Sequence, residues 1–125
     1  MSRGRRVLVV EDEPTLCRVI ARNLTAHGHE VTTAGSVLSA RHALGGHEFD
    51  LMLLDIDLPD GTGWEVVRGL REEGRALPFV VVSAVRVRPE RLDEFKPLAY
   101  LPKPFPLDAL MRIVAGEGAD QSAED

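Results

Sequence analysis

Leu53-Leu54-Asp55-Ile56-Asp57-Leu58-Pro59-Asp60-Gly61-Thr62-Gly63 runs from apolar side chains straight into an acidic residue and then into a tight turn. A carboxylate at the tip of a buried parallel strand is held rigidly at the edge of water, where it can serve as a nucleophile or a metal ligand. Asp55 is therefore the first candidate for chemistry. What it does depends on what the rest of the chain brings to it.

Outward from this stretch, short β-branched runs alternate with segments of helical period. Residues 7–10, 30–33, 49–54, 79–82 and 99–101 read as strands. The third and fourth are apolar almost throughout, as strands covered on both faces are. Residues 14–26, 36–44, 63–73, 89–95 and 107–114 read as helices. Apolar stripes run through Leu16, Ile20 and Leu24, through Val37, Ala40 and Leu44, and through Leu107, Leu110, Met111 and Val114. Pro14 and Pro89 suit a first helical turn, Ser36 suits an N-cap, and Gly28 and Gly45 suit stops. Five strand–helix repeats with right-handed crossovers favour an α/β fold, an open doubly wound parallel sheet with helices on both faces. Ligands bind such sheets beyond the carboxyl ends of the strands.

The 125 residues suffice for one core and no more. No apolar run approaches the roughly 18 residues that a membrane span needs. The short run after Arg3, Arg5 and Arg6 lacks the length and cleavage site of a signal peptide, so the expectation is a cytoplasmic protein without membrane contact. With 15 Lys and Arg against 20 Asp and Glu, the formal net charge of -5 argues against direct nucleic-acid binding, despite the local cluster Arg86, Arg88 and Arg91. Cys17 is the single cysteine, which excludes an intramolecular disulfide and a cysteine-based zinc cage; it reads as a buried, reduced thiol. His27, His29, His42 and His47 have no spacing that offers two imidazoles to one metal and read as surface residues. Trp64 reads as a packing residue at the start of the third helix. Residues 1–115 form the expected domain, and residues 116–125, small, polar and acidic, read as a flexible tail or linker.

In the expected fold Glu11 and Asp12 end the first strand, Asp55 the third and Ser83 the fourth, while Lys103 follows the fifth. Crowded carboxylates repel, and a hard dication such as Mg²⁺ is the usual means of keeping them ionised together. Mg²⁺ retains waters and favours sites completed by phosphate oxygens, which points to phosphoryl chemistry. Lys103 and Ser83 can donate hydrogen bonds to the remaining phosphoryl oxygens. Each residue alone has a plain reading: Asp55 a turn cap, residues 11–13 a solvated charge run, Lys103 part of a proline-rich loop, Ser83 and Tyr100 structural. Only together, in this order, do these residues indicate phosphoryl chemistry.

Val9-Val10-Glu11-Asp12, Leu54-Asp55 with Leu58-Pro59 and Gly63, Ser83-Ala84, and Tyr100-Leu101-Pro102-Lys103-Pro104-Phe105, in this order, resemble the receiver domain of bacterial two-component response regulators over nearly the whole chain. The resemblance implies a five-stranded, flavodoxin-like sheet of order 2-1-3-4-5. It implies that Asp55 accepts a phosphoryl group from a phosphohistidine of a sensor histidine kinase or phosphotransfer protein. It implies that Glu11, Asp12, Asp55 and the backbone carbonyl of Asp57 hold the metal, that Lys103 balances phosphoryl charge, and that Lys103-Pro104 is cis. Ser83 and Tyr100 would form the switch, Ser83 moving toward the phosphoryl group while Tyr100 fills the vacated space. Asp57 and Val85 would flank the path of water and tune the lifetime of the phosphoryl group. Output would pass to a downstream effector or a homodimer.

The chain departs from the family where Lys103 follows Ser83 about two residues early and where Lys96-Pro97-Leu98 replaces the usual glycine-containing approach to the aromatic. The fourth helix should consequently be short or displaced. Two other functions remain open at this point. Asp55-Ile56-Asp57 also reads as the nucleophile and general acid of a haloacid-dehalogenase-like phosphatase, although such enzymes need downstream acidic ligands. A receiver-like scaffold that is never phosphorylated would keep the fold without the chemistry.

Overall fold

Alternation along each strand decides the layering. In the computed structural model, which describes residues 4–116, β1 (Arg6–Val10) turns Val7 and Val9 to one face of the sheet and Leu8 and Val10 to the other. Both faces are covered. Helices α1 (Pro14–Ala26) and α5 (Leu107–Val114) bury Ile20, Leu24, Leu110 and Val114 against Val7 and Val9. Helices α2 (Val37–Gly46), α3 (Gly63–Glu72) and α4 (Pro89–Phe95) bury Ala40, Leu44, Val66, Leu70 and Phe95 against Leu8 and Val10.

β2 (Glu30–Ala34), β3 (Leu51–Asp55), β6 (Phe79–Ser83) and β7 (Ala99–Pro102) complete a five-stranded parallel sheet of order β2-β1-β3-β6-β7. Counted within the sheet this is the expected 2-1-3-4-5. The central strands β3 and β6 are buried at every position, which explains their unbroken apolar sequence. Between β3 and α3, where the sequence predicts a tight turn, lies a two-stranded antiparallel hairpin, β4 (Asp57–Leu58) and β5 (Gly61–Thr62).

Boundaries differ where side-chain chemistry overrides pattern. The third strand begins at Leu51, not 49: Phe49 is half-buried outside it, edge-on to His47 at 6.2 Å. Gly45 does not stop α2, which continues to Gly46 and is capped by the His47 amide on the Ala43 carbonyl. Ser36 is the N-cap of α2 as expected, in a reciprocal box with Ser39. Gly28, at φ 90°, follows the α1 C-cap. The fourth helix is short, seven residues, and ends where Lys96 enters the left-handed region at φ 52°. Its single fully buried side chain, Phe95, stacks on Trp64 of α3 with ring centroids 4.7 Å apart. Cys17 is half-buried rather than buried, and burial raises its thiol pKa above the ordinary value.

Of the expected tail only Gly116 falls within the described residues. Among those residues no helix is long and apolar enough to cross a membrane.

Candidate functional site

The carboxyl ends of β1, β3, β6 and β7 build the site. The amide of Glu11, the residue after β1, donates to the Ala34 carbonyl at 2.9 Å, which carries the β1–β2 ladder one step beyond the strand and fixes the Glu11 backbone. Its Oε2 accepts the Glu13 amide at 3.0 Å. Glu13 in turn caps α1, accepting the Thr15 and Leu16 amides at 3.1 and 2.7 Å. Asp12, between them, is exposed.

Asp55 closes β3 and is 4% exposed. Its Oδ1 accepts the Asp57 amide at 3.1 Å and its Oδ2 accepts a hydrogen bond from Lys103 Nζ at 3.0 Å. Gly63 explains part of the rigidity: a β-carbon there would lie 2.5 Å from the Asp55 carbonyl oxygen, so only glycine permits this approach of α3 to the strand end. The Gly63 amide donates to Ile56 O at 2.8 Å and closes the loop.

Lys103 comes from the carboxyl end of β7, the outer strand of the sheet. Ser83 pairs with Pro102 in the parallel register of β6 and β7, and the Lys103 amide donates to the Ser83 carbonyl at 2.8 Å. The Lys103-Pro104 bond is cis. The early position of Lys103 is thus absorbed by the short α4 segment, and its ammonium still reaches Asp55 and lies 2.8 Å from Glu11 Oε1.

That last contact is a close charge pair set too obliquely for a hydrogen bond, so Glu11 Oε1 is a buried acceptor without a hydrogen-bond partner. Burial pushes the Glu11 carboxyl above its ordinary pKa and the Asp55 charge adds to this, while the Lys103 ammonium opposes both. Burial alone would depress Lys103, but its carboxylate partners outweigh it and hold the ammonium above the ordinary value of 10.5. Glu11, Asp12 and Asp55 each present a carboxylate oxygen within 4.8 Å of the others. One lysine cannot neutralise three carboxylates, and an all-oxygen donor set with a buried oxygen met only obliquely suits a hard dication.

Ser83 is 1% exposed, and its Oγ accepts the Val85 amide at 3.2 Å. By strand alternation Ser83 falls on the same face as Val81, and Tyr100, opposite Val81 in register, packs half-buried against that core. Val85 is 45% exposed just beyond Ser83, and Asp57 is exposed just beyond Asp55. The strand ends thus gather Glu11, Asp12, Asp55 and Lys103, with Ser83 joined through its backbone. No histidine belongs to the cluster: His27, His42 and His47 are exposed, and half-buried His29 accepts the Arg5 amide at Nδ1. Clefts of about 480 and 700 Å³, one between α3 and β6 and one beside α2 and β2, share no residue with the site.

The sequence reading missed Glu13 and Asp60. Glu13 was legible as an acid before Pro14 at a helix start. Asp60 was not, because its partners, the amides of Val37 and Leu38, lie more than twenty residues away.

Known proteins align with these observations. TcrA, a transcriptional regulatory protein of Mycobacterium tuberculosis, is 38% identical over 109 residues, covering 86% of this chain but 43% of TcrA. The chain therefore spans less than half the length of that relative. The response regulator TrrA of Thermotoga maritima, solved in complex with Mg²⁺-BeF, superposes with a TM-score of 0.78 at 27% identity, over 94% of this chain and 99% of that one. The receiver domain of sensor histidine kinase PA1611 of Pseudomonas aeruginosa, solved with magnesium in its active-site cleft, superposes with a TM-score of 0.76 at 30% identity, over 90% and 95%. The family model for the response regulator receiver domain matches residues 7–115, and with the sheet order and the acidic strand ends it establishes that the chain belongs to this family.

Proposed function

We propose that Asp55 is the phosphoacceptor, taking a phosphoryl group from the phosphohistidine of a sensor histidine kinase or phosphotransfer protein, with Mg²⁺ as cofactor. The observation that carries this reading is the buried Asp55 carboxylate, with Lys103 on one of its oxygens and the same ammonium 2.8 Å from the buried Glu11 carboxylate alongside.

One Asp55 oxygen attacks phosphorus and forms the acyl phosphate as the bond to the imidazole nitrogen breaks, with the imidazole leaving. Lys103 donates to the phosphoryl oxygens where charge accumulates, and Ser83 Oγ donates to another. Glu11, Asp12, Asp55 and the Asp57 carbonyl would hold Mg²⁺, which when bound neutralises phosphoryl charge. The aspartyl phosphate adds charge and acceptor oxygens at the strand edge, drawing Ser83 inward while Tyr100 turns into the space released. The response is a shift between two populations, set by how much better one of them accommodates the phosphoryl group.

Residues 1–115 form the receiver and residues 116–125 a tail or linker. The protein is cytoplasmic, does not bind nucleic acid through this domain, and passes its signal to an effector or a second receiver. TcrA, named a transcriptional regulatory protein, extends well beyond the region it shares with this chain. The present chain captures one phosphoryl group rather than turning over phosphate esters, which separates it from a haloacid-dehalogenase-like phosphatase.

Beryllofluoride with Mg²⁺ mimics the acyl phosphate and tests the switch without a donor. Backbone amide signals around Ser83 and Tyr100 should move on its addition. An unchanged spectrum there would favour a scaffold that is never phosphorylated, and steady hydrolysis of a generic phosphate ester would favour the phosphatase.

A further inference from the structure

The N-terminus of α2 is capped from two directions. Ser36 and Ser39 satisfy one another locally, the Ser39 amide donating to Ser36 Oγ at 3.0 Å and the Ser36 amide to Ser39 Oγ at 3.0 Å. The amides of Val37 and Leu38 go elsewhere: they donate to Asp60 Oδ1 at 2.7 Å and Oδ2 at 3.0 Å. Both oxygens of one carboxylate thus take the first two unpaired donors of a helix whose dipole favours the negative charge. The Leu38 and Val37 amides hold the Asp60 carboxyl below the ordinary carboxylate value.

Asp60 sits at the tip of the β4–β5 hairpin, between Leu58 and Gly61. The hairpin's other side-chain hydrogen bonds are local, from the Asp57 amide to Asp55 and from the Thr62 amide to Glu65. Among the described residues, Asp60 alone hydrogen-bonds the hairpin through a side chain to a remote segment. That segment follows Ala34, whose carbonyl accepts the Glu11 amide. The clamp therefore joins the loop bearing Asp57 to the strand end bearing Glu11.

We propose that Asp60 is a positioning residue for divalent-cation binding: by clamping the hairpin to α2, it holds the Asp57 carbonyl in place relative to Glu11 and Asp12. The inference rests on the phosphoacceptor reading, in which that carbonyl is a metal ligand. An asparagine keeps the shape but replaces one acceptor oxygen with a donor that faces an N–H, so Asp60→Asn opens one half of the clamp. Ser36→Ala weakens the same helix end without touching the hairpin.

The test is an NMR titration of the full chain with Mg²⁺ alone, in wild type, Asp60→Asn and Ser36→Ala, preceded by hydrogen exchange on the metal-free proteins. In Asp60→Asn the Val37 and Leu38 amides should shift and the amides of residues 57–62 exchange faster without metal. Mg²⁺ should bind about tenfold more weakly, the low end of what losing outer support costs a metal site. Ser36→Ala should shift the Ser39 amide and leave Mg²⁺ affinity at the wild-type value. Wild-type Mg²⁺ affinity in Asp60→Asn overturns the inference alone, as does an equal loss in Ser36→Ala, which would make it a matter of helix stability. Absence of Mg²⁺ binding in the wild type overturns the phosphoacceptor reading as well.

Discussion

Lys103 is shared by Asp55 and Glu11, and its removal would leave two nearly buried carboxylates facing each other. In the proposed chemistry its donation matters most as phosphoryl charge develops. Lys103→Met should therefore slow phosphorylation by a small phosphodonor on the order of 100-fold, the usual effect of removing one donor aimed at developing charge. Intact-mass time courses measure this, and a wild-type rate in the variant would remove lysine from the mechanism. Val85 bears on the reverse reaction. Exposed and apolar, it offers no hydrogen bond to orient water beside Asp55. Val85→Glu should shorten the lifetime of the phosphoryl group by about tenfold, a modest effect for a positioned base; equal decay in Val85→Glu and Val85→Ala would remove the idea. Glu11, Asp55, Ser83 and Lys103 were legible in the sequence because each stands where an apolar run stops. The obliquely met oxygen of Glu11 was not, since it depends on where Lys103 lands after the strand beside Ser83.

At the scale of elements, α4 carries the main departure from the family. Pro97 and the left-handed Lys96 end it after two turns, which the sequence made plain. What holds so short a helix was not plain, because it comes from α3: Phe95 stacks on Trp64, the Arg68 and Arg71 guanidinium groups lie 5.2 and 5.4 Å from its ring centre, and Arg71 donates to the Glu94 and Phe95 carbonyls. Phe95→Ala should cost about 3–5 kcal/mol, as truncating a buried aromatic does, and change Trp64 fluorescence in the folded protein. A loss under about 1 kcal/mol in urea unfolding would show that α4 is not anchored there. The α2–hairpin junction is instead electrostatic. Asp60, accepting the amides of Leu38 and Val37, titrates below the ordinary 3.8 when folded, and so, away from that junction, does Asp50, which accepts the Arg6 amide at the start of β1. Their contribution is fully present above 3.8 and is lost as pH falls through the lower folded values. The difference in urea midpoint between wild type and Asp60→Asn should accordingly be largest above pH 5 and shrink below pH 3.8. A difference independent of pH would contradict an ionised cap.

Over the whole molecule, pattern and structure agree because the sheet is buried on both faces. Continuous apolar runs at β3 and β6 demand helices on either side, and the helical stripes supply them. The β4–β5 hairpin escaped the reading because two-residue strands carry too little pattern to register. The same architecture places the carboxyl ends of all five strands of the parallel sheet on one edge, where the proposed chemistry takes place. Incubating the chain with a small phosphodonor and Mg²⁺, then measuring intact mass for wild type and Asp55→Asn, tests it most directly. One phosphoryl group on the wild type and none on Asp55→Asn is the predicted result; an unmodified wild type, or equal modification of both, would contradict it.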